Sequence, residues 1–184
     1  MKGPPRARRA EIDFSLLYAG LFLALGAQMA FSQLWYQDRG LDAAEIGRLN
    51  TLAILTRIAA GVALPLIADA TGRRAETLIG LALLGAAAAL AHLAAPPGLG
   101  PGMIAVTLTL AVAYAGLLPL GDAYGFAAGE REGFSYRRAR AVGSFAFLAA
   151  TALVGEAVAG FGIDAVFVWI AVAMALAAAA AARA

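Results

Sequence analysis

The sequence predicts an all-α membrane protein, a bundle of six transmembrane helices, and three observations carry that prediction. Hydrophobic residues make up 62% of the 184 positions and mean hydropathy is +0.78, well outside the range of water-soluble domains. Charged residues make up only 14%, too few to coat a soluble globule. These charges also cluster between long apolar runs instead of spreading evenly. Cysteine is absent, so neither a disulfide framework nor a thiolate metal site can form, and a single histidine argues against metal chemistry. No cofactor is expected.

Residues 1–13 carry Lys2, Arg6, Arg8 and Arg9 and read as a segment outside the bilayer, ahead of a transmembrane domain over 14–184. Such a basic run before an apolar stretch resembles a secretory signal. However, Phe14 to about Tyr36 is long enough to span hydrocarbon, and no small-residue cleavage site interrupts it, so it reads as a retained helix 1. Five further helices are expected at about 44–68, 76–95, 103–126, 140–161 and 164–182. The gaps between them hold turn or charge signals: 37–42, Asp69 to Arg74, the proline- and glycine-rich 96–101, 127–139 and 162–164. Because the links are short, consecutive helices are expected to be antiparallel neighbours.

Orientation follows from the basic residues on alternate sides. The N-terminal four, Arg73 and Arg74, the group Arg131, Arg137, Arg138 and Arg140, and Arg183 fall on one side, against Arg39 and Arg48 on the other. The positive-inside rule then puts both termini in the cytoplasm of a multi-pass plasma membrane protein, in a bacterium the inner membrane. Insertion topology accounts for these charges, so no nucleic-acid partner is implied. Alanine and glycine dominate helices 2 to 6 and allow close backbone approach in lipid.

Polar residues at membrane depth are the candidate functional residues, because a charge there costs roughly 2.5–3.5 kcal/mol on insertion scales. Arg57 lies near the middle of helix 2, with Asn50 seven residues before it on the same face and Gly61 one turn after. It either holds the bundle together through an acid or backbone carbonyls, or takes part in substrate binding or gating. Asp122 and Arg140 lie nine residues either side of position 131, at similar depth on helices 4 and 5. Such a pair can neutralise itself, bind a polar or anionic substrate, or couple a proton through the carboxylate; equally it can be a plain interfacial ion pair near the cytoplasmic end. Pro119 is placed to kink helix 4 and free a carbonyl.

Glu156 and His92 fall near the outer ends of their helices, where side chains snorkel to water, and read as structural. Tyr18, Gln28 and Gln33 can line a cavity, while Trp35 and Tyr36 fit an interfacial aromatic belt better. No Walker-type loop supports ATP hydrolysis. An intramembrane enzyme is disfavoured too, since Ser144 has no Gly-x-Ser-x-Gly setting and His92 lies near the opposite face.

The stretch Asp69-Ala70-Thr71-Gly72-Arg73-Arg74 resembles the Asp-x-x-Gly-Arg-Arg signature of the major facilitator superfamily, departing from it at Pro65 and Ala70. The stretches 119–123 and 136–147 are similar to helices 4 and 5 of the phenylpropionate permease and lactose permease-like group, and Arg57 is similar to an arginine of that group's second helix. The resemblance implies one half of the major facilitator fold, with Asp122 and Arg140 in the substrate region. Asp69, Gly72, Arg73 and Arg74 would form the conformational-switch loop. It further implies a secondary transporter, not an enzyme, that moves a small organic solute such as an aromatic acid, sugar or nucleoside, with protons as the expected coupling ion. Family members have two six-helix halves, so a second half is expected as a partner, either the missing C-terminal half or a second copy. The alternative is a truncated, non-transporting half-domain.

Overall fold

A computed structural model describes residues 5–184, so Lys2 lies outside the described residues. The described chain forms six helices and no strand: α1 (Pro5–Asp38), α2 (Ala43–Thr71), α3 (Arg74–Leu93), α4 (Pro101–Glu132), α5 (Tyr136–Phe161) and α6 (Ala165–Ala181). The first five are long and apolar enough to cross a membrane. The 17 residues of α6 are shorter, about 26 Å at 1.5 Å per residue and near the lower limit for a span.

Several helices overrun the spans read from hydropathy. The stretch from Pro5, expected to lie outside the helix, belongs to α1; α4 runs to Glu132 instead of about 126; α5 starts at Tyr136 instead of about 140. Hydropathy marks where lipid ends, whereas a helix continues until a cap or breaker stops it. Gly133 ends α4 in a left-handed conformation, and the Ser135 side chain caps α5. Ion pairs tie these extensions together: Arg138 to Glu11 at 2.9 Å, Arg6 to Glu132 at 2.9 Å, and Arg183 to the buried Asp13 at 3.6 Å. The start of α1 and the end of α6 therefore lie at the same end of the bundle.

Short links do not make consecutive helices the main packing partners. α1 packs along α5 on one side and α6 on the other; α6 packs on α3, α3 on α4, and α4 on α2. α4 and α5 barely touch, which corrects the expectation that they face each other directly. The result is a front row of α5, α1, α4 and α2, backed by α6 and α3. Small residues set the spacing. A Cβ on Gly20 would meet the Ala173 carbonyl oxygen and the Ala177 nitrogen of α6 at 2.8 Å, and one on Gly26 would meet the Phe147 carbonyl oxygen of α5 at 2.8 Å. α2 and α5 are the least enclosed helices, with Leu55, Ile58, Val62 and Leu66 of one and Phe145 and Leu148 of the other more than half exposed.

At the end away from the termini, the link between α5 and α6 is clamped to α1. Asp164 accepts from the Trp35 indole at 2.8 Å and from Arg39 at 2.6 Å, and the Arg39 guanidinium sits 4.7 Å from the Trp35 ring centroid. Trp35 and Tyr36 are buried, not displayed in an interfacial belt, because the polar edge of each finds a partner inside the bundle. His92, expected to reach water, is likewise fully buried, stacked on Phe167 with 4.1 Å between ring centroids. Glu156 is exposed.

Two predictions follow from this packing. Gly20→Ala forces backbone apart and is expected to cost about 1–3 kcal/mol, whereas Gly80→Ala, which meets nothing within 4 Å, changes stability by no more than about 1 kcal/mol; thermal unfolding in detergent compares the two. Partial burial raises the Asp164 carboxyl pKa, but hydrogen bonds from Arg39 and Trp35 and the guanidinium charge outweigh it, leaving a net value below the ordinary carboxylate range. The clamp's contribution is therefore present above the unfolded carboxyl pKa and is lost as pH falls through the depressed folded value. Asp164→Asn should lower the unfolding midpoint at pH 7, by the equivalent of about 1 kcal/mol for so exposed a carboxyl. That deficit should close on acidification, and a deficit constant down to pH 3 would refute the assignment.

Candidate functional site

Polar side chains spaced to share one helix face converge between α1, α2 and α4. Gln28, Ser32, Gln33 and Tyr36 recur along α1, Asn50 and Arg57 are seven residues apart on α2, and Thr107 projects from α4. Together with Met29, Ala53 and Ile54 they line a cavity of about 280 Å³. Asn50 donates its amide N–H to Gln33 Oε1 at 3.0 Å, which fixes the orientation of both amides. Behind the wall, the Tyr36 hydroxyl lies 3.2 Å from Thr107 Oγ1, and His92 Nε2 lies 3.3 Å from the same oxygen.

Arg57 lines this cavity half-buried, its guanidinium 5.7 Å from the centroid of the Tyr114 ring. Neither the acidic partner nor the backbone carbonyls considered for it from the sequence are among its contacts in the described residues. Its Nε is buried and unpartnered, as are Gln28 Oε1 and the Tyr114 hydroxyl. Gly61, one turn on, opposes the Ala115 carbonyl, from which a Cβ would stand 3.6 Å away. That carbonyl is the one whose intrahelical donor Pro119 removes, and Pro65 does the same for the carbonyl of Gly61.

Asp122 and Arg140 meet at a second place on the front row. Arg140 Nε donates to Asp122 Oδ1 at 3.1 Å, bridging α4 and α5 although the helices themselves hardly touch. α1 supplies the floor beneath the bridge: the guanidinium lies 4.3 Å from the Phe22 ring centroid and 5.4 Å from that of Tyr18. The Tyr18 hydroxyl in turn donates to the Gly121 carbonyl at 2.8 Å. Both partners are partly accessible, 40% for the aspartate and 30% for the arginine, so the pair faces the open side of the bundle. Phe22 and Gln28 are six positions apart on α1, which puts this pair about 9 Å along the helix from the edge of the Arg57 cavity.

The 69–74 loop is a helix stop. Gly72 takes the left-handed conformation at φ 68°, and its N–H and that of Arg73 return to the Asp69 and Ala68 carbonyls. Arg74 Nε donates to Asp69 Oδ1 at 2.6 Å, offsetting a carboxylate at the unfavourable C-terminal end of α2. Arg73 reaches Glu76 only at 4.0 Å and is mostly exposed.

Thr107 and Tyr114 were not singled out from the sequence, although their seven-residue spacing on α4, like that of Asn50 and Arg57, was a usable signal. Phe22 left no signal, because a phenylalanine in an apolar run looks like any other lipid-facing or core residue.

A family model described as MFS_1 like family matches residues 12–183. No curated protein and no solved structure matches the chain.

The bridge between Asp122 and Arg140 predicts a specific non-additivity. Asp122→Asn and Arg140→Gln each strand the other charge at membrane depth and should each destabilise the protein, while the double variant should recover part of the loss. A thermal-unfolding double-mutant cycle is expected to give a coupling of about 0.5–3 kcal/mol; additive losses would mean that the two charges act independently.

Proposed function

The chain belongs to the MFS_1-like family of the major facilitator superfamily, and we propose that it is the N-terminal half of a secondary active transporter that takes up a small organic solute with protons. The carrying observation is where the polar groups at membrane depth gather. The Arg57 cavity and the Asp122–Arg140 pair both open on the front row, while α6 and α3 behind it are alanine-rich and packed. Charge at such depth is costly and is tolerated mainly for a role.

In this reading the front row is one wall of a substrate path and a second six-helix bundle, a C-terminal half or another copy of the chain, is the other wall. Rocking of the two bundles exposes the path to each side of the membrane in turn. Both termini face the cytoplasm, as the distribution of basic residues suggests, in the plasma membrane, for a bacterium the inner membrane. Arg57, Asn50, Asp122 and Arg140 belong to the substrate path; Asp69, Gly72, Arg73 and Arg74 form the cytoplasmic loop that limits the rocking. Asp122 is the proton-coupling group, since it is a partly accessible carboxylate whose one ionic partner, Arg140, can hold a substrate oxygen whenever the acid is protonated. An aromatic acid, a sugar or a nucleoside suits a cavity that combines aromatic, amide and guanidinium groups.

Proteoliposomes in which the chain is paired with a second six-helix half, either another copy or a C-terminal half co-expressed with it, loaded under an imposed pH gradient with labelled members of those three solute classes, test the proposal. Uptake of at least one solute is expected to follow the gradient, and Asp122→Asn should cut the gradient-driven rate roughly tenfold or more, equivalent to about 1.4 kcal/mol in the barrier. Uptake that stays proton-dependent in Asp122→Asn would sink the coupling assignment. Absence of uptake from every paired preparation, homodimeric or joined to a C-terminal half, would favour a non-transporting half-domain.

A further inference from the structure

The Arg57 cavity holds an unbalanced positive charge. Its walls supply amides and hydroxyls but no acidic side chain. Arg57 takes part in none of the ion pairs of the described residues, and the Tyr114 ring beside it offers only a weak electrostatic contact at 5.7 Å. The other membrane-depth arginine, Arg140, is in the opposite condition, already neutralised by Asp122.

The polarity of the remaining wall follows from hydrogen-bond directions. His92 Nδ1 lies 2.7 Å from the Ala88 carbonyl oxygen, which only accepts, so Nδ1 carries the proton. With the ring neutral, Nε2 accepts from the Thr107 hydroxyl, and the Thr107 oxygen accepts from the Tyr36 hydroxyl. The Tyr36 proton is thereby committed to the wall, leaving its oxygen with acceptor capacity only. Gln28 Oε1, buried and unpartnered, is a second acceptor. The cavity therefore combines a cation that no ion pair of the described residues compensates with open acceptors. At about 280 Å³ the cavity lies just below the usual range for ligand pockets, roughly 300–1,000 Å³, which suits a molecule of single-ring size.

We infer that the cavity binds a small organic anion, its carboxylate or equivalent oxyanion on Arg57, with a hydroxyl or N–H donor turned toward Gln28 and Tyr36. This rests on the transporter reading above and narrows its substrate class to donor-bearing monoanions, setting uncharged sugars and nucleosides apart. The anion's charge completes Arg57, and the donor completes acceptors that the protein leaves open. A cation would face an unpaired guanidinium, and a neutral isostere would leave that guanidinium as it is.

The purified chain in detergent, titrated with 4-hydroxybenzoate, 4-hydroxybenzamide, 4-hydroxybenzylamine and benzoate while its unfolding midpoint is followed, tests the inference. The 4-hydroxybenzoate anion is expected to raise the midpoint most, benzoate less, and the amide and amine little. Arg57→Gln should weaken the apparent affinity for 4-hydroxybenzoate roughly tenfold or more, Arg57→Lys should keep part of it, and Arg48→Gln, at an exposed arginine of α2 outside the cavity lining, should leave the anion preference intact. Should Arg57→Gln not fold, Gln28→Leu carries the test, by removing the advantage of 4-hydroxybenzoate over benzoate. Equal protection by the anion and the amide, or a preference that survives Arg57→Gln and disappears in Arg140→Gln, overturns the inference. Anion preference without gradient-driven uptake from any paired preparation defeats the transporter reading and leaves the anion site; uptake without anion preference defeats the anion site alone.

Discussion

Within hydrocarbon, two helices gain little by hiding apolar surface from each other, so what holds α1 in place is how near its neighbours' backbones can come. Gly20 and Gly26 lie six positions apart and admit α6 and α5 respectively to distances that a single methyl group would close off. With α1 held from both sides, α5 has no need of α4, and α4 takes its support from α3 and α2. The front row is therefore two helix pairs, α5 with α1 and α4 with α2, joined along a looser seam. Both polar sites lie on that seam: the Asp122–Arg140 bridge crosses it, and the Arg57 cavity opens in it. Where dispersion contacts are thin, polar side chains have room and a reason to meet.

The six apolar runs and the polar residues interrupting them were legible in the sequence because both depend on transfer from water to lipid, a property of each residue and its near neighbours. Arg57 with Asn50, and Asp122 with Arg140, stood out for that reason. Packing order did not, since it depends on which small residues oppose one another across space, and Gly20 looks no different in the sequence from Gly80, which touches nothing. Trp35 was misread for a related reason. A tryptophan near a helix end is placed by its N–H, and the acceptor that draws it inward, Asp164, stands 129 positions away. Helix ends past the bilayer were hidden as well, because the charges that lower hydropathy there, Arg6, Glu11 and Arg138, are the ones that pair to keep the extensions folded.

The two arginines at membrane depth show how one residue type takes on different work according to its surroundings. Arg140 has a carboxylate at 3.1 Å and two aromatic rings beneath it, so its charge is balanced within the protein and any role it has must involve breaking or sharing that balance. Arg57 has an aromatic ring and a cavity, and no ion pair of the described residues balances its charge. The difference comes from α1. Beside Arg140 it presents Tyr18 and Phe22, whose rings floor the guanidinium that Asp122 pairs; beside Arg57 it presents Gln28 and Gln33, whose amides line the cavity.

That contrast bears on how binding can reach the 69–74 loop. α2 carries Arg57 at one level and Asp69 twelve positions later, and among the described residues it packs mainly against α4, so it can shift with little else to move. Between those two positions Pro65 removes one ladder hydrogen bond, and the carbonyl it releases belongs to Gly61, which opposes the carbonyl that Pro119 releases on α4. The two weakest points in the α2 and α4 ladders therefore face each other one turn from Arg57. A ligand that draws Arg57 toward α1 pulls on α2 at the level where bending costs least, while the Asp69–Arg74 bond holds the far end of the helix against α3. In the proposed rocking motion, bending at Gly61 to Pro65 would turn a change of charge in the cavity into a change of angle at the loop.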